Sequence, residues 1–394
     1  MKPKLYKWVI VGAGPVGTHL ALSLLRSGKV SPKELAILDP LPPLELWRRR
    51  TRNCGLTYLR SASVQHIGAS SAELDRFQRE KFPHPSPSRG RVRTPRLEIF
   101  NAHCESLLKE SCLLESWMAC RLLDVQAERH GYQLNTCEGT LQAEAIVLSP
   151  GLSWKPSIPE WLEPVANRCR HLLDPDFDRK SLASTEKLAV LGGGMSAVQA
   201  ALSFCDEKRV TLLTRSPIKV SEFDVSSSWM APMNQRFLRA PAAHRIEKMN
   251  RVRRPGTVNK EVKNLLQAAQ KSDKIDCLNI ENPKSRLEGQ EVVLEFPKAT
   301  VRVEQVLLGI GFRRRIHPLI QKIGTSLEAS FLKTGHPQLE HSLQWLPNLY
   351  VVGGGAELEI GPTAPNLLGA RLAAQRLLSA AFPQKRKKEL VLCS

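Results

Sequence analysis

The chain has 394 residues, 42% hydrophobic and 24% charged, a composition ordinary for a soluble globular protein with core enough for two domains or two and a fraction. No apolar run approaches the roughly 18 residues of a spanning helix, and the N-terminus lacks the plan of a signal peptide, so the expected location is cytoplasmic. The net charge of +19 comes from dispersed clusters (Arg48 to Arg50, Arg251 to Arg254, Arg313 to Arg315, Lys385 to Lys388) without interleaved aromatics. That pattern speaks for a basic surface that attracts anionic small molecules, and no nucleic-acid partner is expected. The nine cysteines include no C-x-x-C pair. This predicts reduced thiols, no metal site, and no disulfide-exchanging pair of the kind a disulfide reductase uses.

In chain order, an apolar strand from Trp8 to Val11 runs into Gly12-Ala13-Gly14-Pro15-Val16-Gly17, and a helix is predicted over 18–26. A second strand, Leu35 to Leu38, ends at Asp39. Gly12 permits the tight turn, Gly14 lets backbone approach a pyrophosphate, and Gly17 lets helix and strand pack closely. The helix N-terminus presents free N–H groups to phosphate. Asp39, 22 residues past Gly17, stands near the spacing expected of an acid that binds ribose hydroxyls.

A loop follows over 40–43, then the arginine run. Residues 53–68 have mixed periodicity suited to lining a ligand, with Cys54 a packing thiol. A short helix is predicted over 70–79, a proline-rich loop over 82–96 and an amphipathic helix over 97–109. Strands are predicted over 121–127, 132–136 and 141–148, the last ending in Ser149-Pro150-Gly151.

After a proline-rich linker at 156–164 the opening design returns. A strand from Lys187 to Leu191 enters Gly192-Gly193-Gly194-Met195-Ser196-Ala197, then a helix to Phe204 and a strand ending at Thr214-Arg215. The alanine at the third position still permits close packing, and an arginine where the first unit has an acid fits the 2′-phosphate of NADP. The region 218–270 reads as helix and loop, 276–305 as short strands, and 306–312 as a buried strand. A strand at 349–352 then enters Gly353-Gly354-Gly355, and a last helix runs over 366–378.

The expected fold class is therefore α/β: two Rossmann-like, doubly wound parallel-sheet dinucleotide-binding domains, the second inserted in the first. The boundaries are 1–155 and 305–382 for an FAD-binding domain, 156–304 for an NADPH-binding domain and 383–394 for a basic tail. Two such units imply FAD in the first, NADPH in the second and hydride transfer between them.

GAGPVG at 12–17, LRSASVQHIG at 59–68, GGGMSA at 192–197 with Arg215, and GPTAPNLLGAR at 361–371 resemble the two-dinucleotide-domain flavoproteins. Within them the likeness is to the class B monooxygenases that include lysine and ornithine N-hydroxylases. The resemblance covers about residues 6 to 382. Neither SPG (149–151) nor GIG (309–311) keeps the A-T-G turn of relatives, and no aspartate follows the triple glycine.

The resemblance implies FAD held by Gly12, Gly14, Pro15, Val16, Gly17, Asp39, Arg60, Gln65, Gly354, Asn366 and Leu367. NADPH would be held by Gly192, Gly194, Met195, Ser196, Ala197 and Arg215. Gln65 and His66 would lie near the flavin ring or its pocket mouth, and His171 would stand in the interdomain linker; these three are the catalytic candidates. The implied activity is NADPH-driven monooxygenation of a small amine-like nucleophile by O2 through a C4a-hydroperoxyflavin. The alternative is an oxidoreductase that passes electrons to a quinone, a metal chelate or a protein, and a non-enzymatic flavin-holding redox sensor is a third possibility. Lys219, Asn234 and Arg236 lie in the region where substrate would approach, but each reads first as an ordinary surface residue.

Overall fold

The computed structural model describes residues 4–83, 88–89, 94–151, 158–223, 225, 229, 232–252, 256–311 and 315–383. The first part contains β1 (Leu5–Val11), α1 (Pro15–Arg26), β2 (Leu35–Leu38), α2 (Glu45–Asn53) and α3 (Glu73–Lys81). Next come β3 (Ser88–Arg89), β4 (Thr94–Pro95), α4 (Leu97–Glu110), β5 (Trp117–Met118), β6 (Leu122–Glu128), β7 (Gly131–Thr136) and β8 (Gly139–Leu148). The second unit begins with β9 (Cys169–His171), β10 (Lys187–Leu191), α5 (Met195–Phe204), β11 (Arg209–Thr214) and β12 (Lys219–Val220). It continues through α6 (Pro232–Leu238), α7 (Ala242–Val252), β13 (Thr257–Val258), α8 (Lys260–Lys271) and β14 (Ile275–Asn279). Then follow β15 (Lys284–Glu288), β16 (Glu291–Phe296), β17 (Ala299–Val303) and β18 (Gln305–Leu308). The chain closes with α9 (Pro318–Ser326), β19 (Gln344–Leu346), β20 (Leu349–Val351), α10 (Glu357–Ile360) and α11 (Leu367–Ala381).

One sheet runs β19-β20-β8-β1-β2-β5, with the antiparallel β6-β7 hairpin added through β8. It joins strands from both ends of the chain: β20 pairs in parallel with β8, which pairs in parallel with β1. The other sheet, β14-β11-β10-β18-β9, is parallel throughout. Its members all come from residues 169–308, so the second unit is inserted into the first. β15-β16-β17 form a separate antiparallel sheet. Strands covered on both faces read as near-continuous apolar runs; β2 (LAIL) is buried at every position and β10 (KLAVL) at all but its first.

Several elements escaped the sequence reading, β5, β9, β19 and α10 among them. α2 forms where only an arginine run was seen, entered through Leu44 at φ 69°. Part of the expected linker, Glu160–Arg168, is a run of 3-10 turns around Pro164. α9 starts with Pro318 in its first turn and His317 as N-cap. The first helix begins at Pro15, three residues earlier than expected, because proline's fixed φ and missing N–H suit a first helical position. No helix among the described residues is long and apolar enough to cross a membrane.

Buried histidines link this fold to pH. Burial pushes His19 down to about 4 from 6.5, and lowers His171 as well. In both cases the folded state favours the neutral ring. Their stabilisation is therefore fully present above about pH 6.5 and is lost as pH falls below it, because the unfolded chain takes up the protons first. Unfolding free energy is expected to decline between pH 6.5 and 4 by more than the about 1.4 kcal/mol per pH unit that one proton contributes. Denaturant titrations at several pH values check this, and a flat profile would contradict it.

Candidate functional site

Each glycine turn lies at the carboxyl end of the central strand of its sheet, where ligands of open parallel sheets bind. In the first unit Gly12 has φ +104°, and a Cβ there would lie 2.2 Å from Ser149 O. A Cβ on Gly17 would lie 1.9 Å from Gly12 O. Both glycines are thus fixed by packing inside the protein. Gly14 differs: its φ is −68°, and a Cβ there would meet nothing within 4 Å. Nothing in the protein itself requires a glycine at this position.

Gly14 is the N-cap of α1 and no side chain caps that helix; its first turn holds no acid. The same holds for α5, where Gly194 is the uncapped N-cap and a Cβ on it would find its nearest atom 3.8 Å away. Among the described helices α2, α3, α4 and α10 also lack a side-chain cap, whereas α8, α9 and α11 carry one. Asn259 caps α8 through Val262 N–H, and Asn366 caps α11 through Leu368 and Gly369 N–H. Two uncapped N-termini at glycine turns leave N–H donors free for phosphate.

The second turn explains its alanine. Gly192 has φ +141°, with a Cβ position 2.5 Å from Gly309 O. Gly309, just past β18, faces Ala197, and a Cβ on Gly309 would fall 2.5 Å from that of Ala197. The helix–strand contact thus keeps its closeness by moving the bare position across the interface to the GIG segment. Met195 and Ser196 open α5 half-buried, and Cys54 bonds through its thiol to Ser196. Burial pushes that thiol up to about 11, so Cys54 is a packing group and not a thiolate nucleophile. Arg215, at the end of β11, is exposed and enters no ion pair among the described residues. It is free to meet a phosphate.

Asp39 takes a different part from the one expected of it. Its Oδ2 accepts from Ala13 N–H at 2.8 Å and its Oδ1 from Leu41 N–H at 2.9 Å. The carboxylate thus braces the first glycine turn, and each oxygen keeps a further lone pair. The triple glycine follows β20: Gly353 has φ +64°, and a Cβ there would be 3.8 Å from Val16. Gly354 is buried in a short 3-10 turn over that same crevice. Leu367 is half-buried at the start of α11. The Asn366 side chain is committed to its helix, so its own oxygen is not open to a ligand.

Three expectations are corrected. Arg60 does not reach into the first crevice: its guanidinium donates to Ser221 O at 2.6 Å and Thr257 Oγ1 at 3.0 Å, with Glu222 O at 3.3 Å. It ties the first unit to the β12-β13 edge of the second. His66 is completely buried, accepts Gly68 N–H at 3.0 Å through Nδ1, and packs edge-on against His103. It is therefore neither a solvent-facing loop residue nor a group at a pocket mouth. His171 is 3% exposed; its Nδ1 accepts from Leu173 N–H and its Nε2 donates to Gly311 O at 2.8 Å. It pins the end of β9 to the segment after β18. Lys219 and Arg236 are exposed, as surface residues are, and the side chain of Asn234 lies outside the described residues. Gln65 is half-buried with its N–H on Ala62 O.

Sequence reasoning missed how α2 joins the units. Arg50 Nε donates to Leu173 O and Asn53 Nδ2 to Phe177 O, at 3.0 and 2.6 Å. Removing the Arg60 tether tests the joint. Arg60→Ala is expected to lower unfolding free energy by about 1–3 kcal/mol through the lost charge-assisted bonds. It should also slow flavin reduction at fixed NADPH. Unchanged stability and unchanged reduction would show that the tether does neither job.

Compared by sequence with curated proteins, the chain has no match. Compared with protein families, residues 6–368 match the pyridine nucleotide-disulphide oxidoreductases. The chain belongs to that family. Its members depend on FAD and NAD(P), and this chain is accordingly an FAD- and NAD(P)-dependent oxidoreductase. Among the described residues its cysteines are all free.

Solved structures similar to this pyridine nucleotide oxidoreductase include DfoA, the cadaverine monooxygenase of Erwinia amylovora, bound to FAD. It has 17% identity and a TM-score of 0.72, with 97% of this chain and 95% of that one covered. The ornithine N-hydroxylase KtzI of Kutzneria sp. 744, with reduced FAD, NADP+ and L-ornithine, has 15% identity and a TM-score of 0.74, with 95% and 98% covered. The bacillithiol disulfide reductase of Bacillus cereus has 15% identity and a TM-score of 0.59, with 96% and 98% covered. At such identities the likeness establishes the fold.

Proposed function

We propose that the chain is an NADPH-dependent flavin monooxygenase that inserts one atom of O2 into a small nucleophilic, amine-like substrate. The observation that carries it is the pair of uncapped glycine-turn helix N-termini, one followed by Asp39 and the other by the exposed Arg215. Gly14 and the free amides of α1 would hold the FAD pyrophosphate, with the braced Asp39 beside the adenosine ribose. Gly194 and the amides of α5 would hold the NADPH pyrophosphate, and Arg215 its 2′-phosphate. When bound, FAD would supply the redox chemistry, acceptance of a hydride from NADPH and reaction with O2. The chain supplies position. The second unit is fixed against the first through Arg50, Asn53 and Arg60, which sets the approach of one nucleotide to the other.

Two points favour monooxygenation over disulfide reduction. Burial raises the thiols of Cys54, Cys169 and Cys277 to about 11, which disfavours the thiolate at these three positions, and the sequence has no C-x-x-C pair for disulfide exchange. The similar structures with the higher TM-scores, 0.72 and 0.74, are N-hydroxylating or amine monooxygenases. The test is NADPH-driven O2 consumption with a panel of small amines and amino acids, with hydroxylated product and hydrogen peroxide both measured. Product formed in proportion to NADPH supports the reading. Peroxide alone with every amine, together with fast reduction of quinones or metal chelates, would replace it with electron transfer without oxygen insertion.

A further inference from the structure

At the joint between the two units lies a cavity of about 410 Å3, with Arg48, Arg52, Leu97, Asn101, Arg179 and Ser203 in its lining. Arg48 and Arg52 stand one turn apart on α2, and Leu97 and Asn101 one turn apart on α4, so each helix gives the cavity one face. Arg179, which opens a 3-10 turn, and Ser203 of α5 close it from the second unit. No aspartate or glutamate is among its described lining residues.

Three guanidinium groups around one cavity call for counter-charge. Like charges four residues apart on a helix repel, and the lining holds nothing that offsets Arg48 and Arg52. The Arg52 side chain is exposed and enters no hydrogen bond or ion pair among the described residues. Arg48 Nη2 meets Glu105 Oε1 at 3.3 Å, but that carboxylate is largely exposed, and such a pair contributes little. Arg48 Nε and Nη2 are buried and make no hydrogen bond.

Arg179 is held in place with donors to spare. Its Nη1 donates to Arg52 O at 3.2 Å and its Nη2 to Ser203 O at 3.5 Å, and its guanidinium carbon lies 4.3 Å from the Phe204 ring centre. Each of these nitrogens keeps a second N–H. Burial pulls the Arg179 guanidinium below its ordinary value, with Glu207 opposing the shift.

We propose that this cavity binds one inorganic hydrogenphosphate ion, held by Arg48, Arg52 and Arg179 and therefore by both units. Planar N–H forks suit a tetrahedral oxyanion because each can meet two of its oxygens at once. A neutral group completes the match: Asn101 Oδ1 is buried without a partner, and hydrogenphosphate carries a P–OH that can donate to it. Sulfate is fully ionised at neutral pH and has no such proton. The ion offsets the repulsion between Arg48 and Arg52 and ties α2 and α4 to Arg179, beside the bonds that Arg50 and Asn53 of α2 already make to the second unit. This place is separate from the second glycine turn, since Ser203 lies near the end of α5 and that turn at its start.

The test titrates the FAD-loaded protein, saturated with NADP+, with sodium phosphate in a calorimeter while chloride holds the ionic strength constant. About one phosphate per chain is expected, sulfate should bind more weakly, and phosphate should raise the thermal midpoint. Arg52→Gln should weaken phosphate binding at least about tenfold. Its midpoint without phosphate should match or exceed that of wild type, because the change removes a like-charge neighbour and no bond. Arg129→Gln, at an exposed position after β6, should bind phosphate as wild type does. Phosphate binding that is lost in Arg215→Glu and kept in Arg52→Gln would put the ion at the second glycine turn and overturn the proposal. No binding beyond the chloride control, or sulfate bound as tightly as phosphate, would overturn it as well.

Discussion

Gly14→Val is expected to yield a folded protein that purifies almost without flavin. A side chain there meets no protein atom within 4 Å, and φ −68° suits any L residue. The FAD-free variant should unfold at the same denaturant midpoint as FAD-free wild type. The β-branched side chain instead occupies the ground on which the pyrophosphate approaches the α1 amides. Affinity for FAD is expected to fall about 100-fold, or about 2.7 kcal/mol. Gly12→Val gives the contrast, since a Cβ would lie 2.2 Å from Ser149 O at φ +104°. It should cost more than about 3 kcal/mol of stability, and flavin would be lost with the fold. Flavin absorbance per chain beside the unfolding midpoint separates the two effects. Gly14→Val with full flavin content would show that this turn does not hold the pyrophosphate.

Arg215→Glu is expected to change nucleotide preference without touching the flavin. The residue is exposed at the end of β11 and has no ion pair to lose among the described residues, so stability should be unaffected. Exchanging a donor fork for a carboxylate removes a charge-assisted contact and adds repulsion toward a 2′-phosphate. KM for NADPH should rise at least about tenfold, equivalent to about 1.4 kcal/mol. KM for NADH should stay or fall, and the limiting rate of flavin reduction should hold. Steady-state measurements with both nucleotides check it; equal effects on NADPH and NADH would mean that Arg215 does not read the 2′-phosphate.

Much of the fold was legible because its signals are local. A strand, a glycine turn and a helix start lie within a dozen residues, and the requirement at Gly12 or Gly192 is written in the residue itself. The alanine at position 197 was legible as tolerable. The reason it is tolerated, the bare Gly309 across the interface, is 112 residues away and appears only when β18 pairs with β10.

Partners decided the rest of the site. Asp39 had the right spacing for a ribose, but nothing in the sequence said that Ala13 and Leu41 N–H would claim both its oxygens. Arg60 and His66 sit in a segment with no periodicity to give direction. One turned to the carbonyls beside β12 and β13, the other into the interior between α3, α4 and α11.

The central claim is that two nucleotides sit at the two glycine turns and exchange a hydride. It is tested most directly by anaerobic titration of the purified protein with NADPH, followed by absorbance. The protein should carry about one flavin per chain, and the flavin should bleach fully with about one equivalent of NADPH, since each hydride delivers the two electrons that full reduction needs. A protein that carries no flavin, or whose flavin stays oxidised with excess NADPH and NADH, would contradict the account.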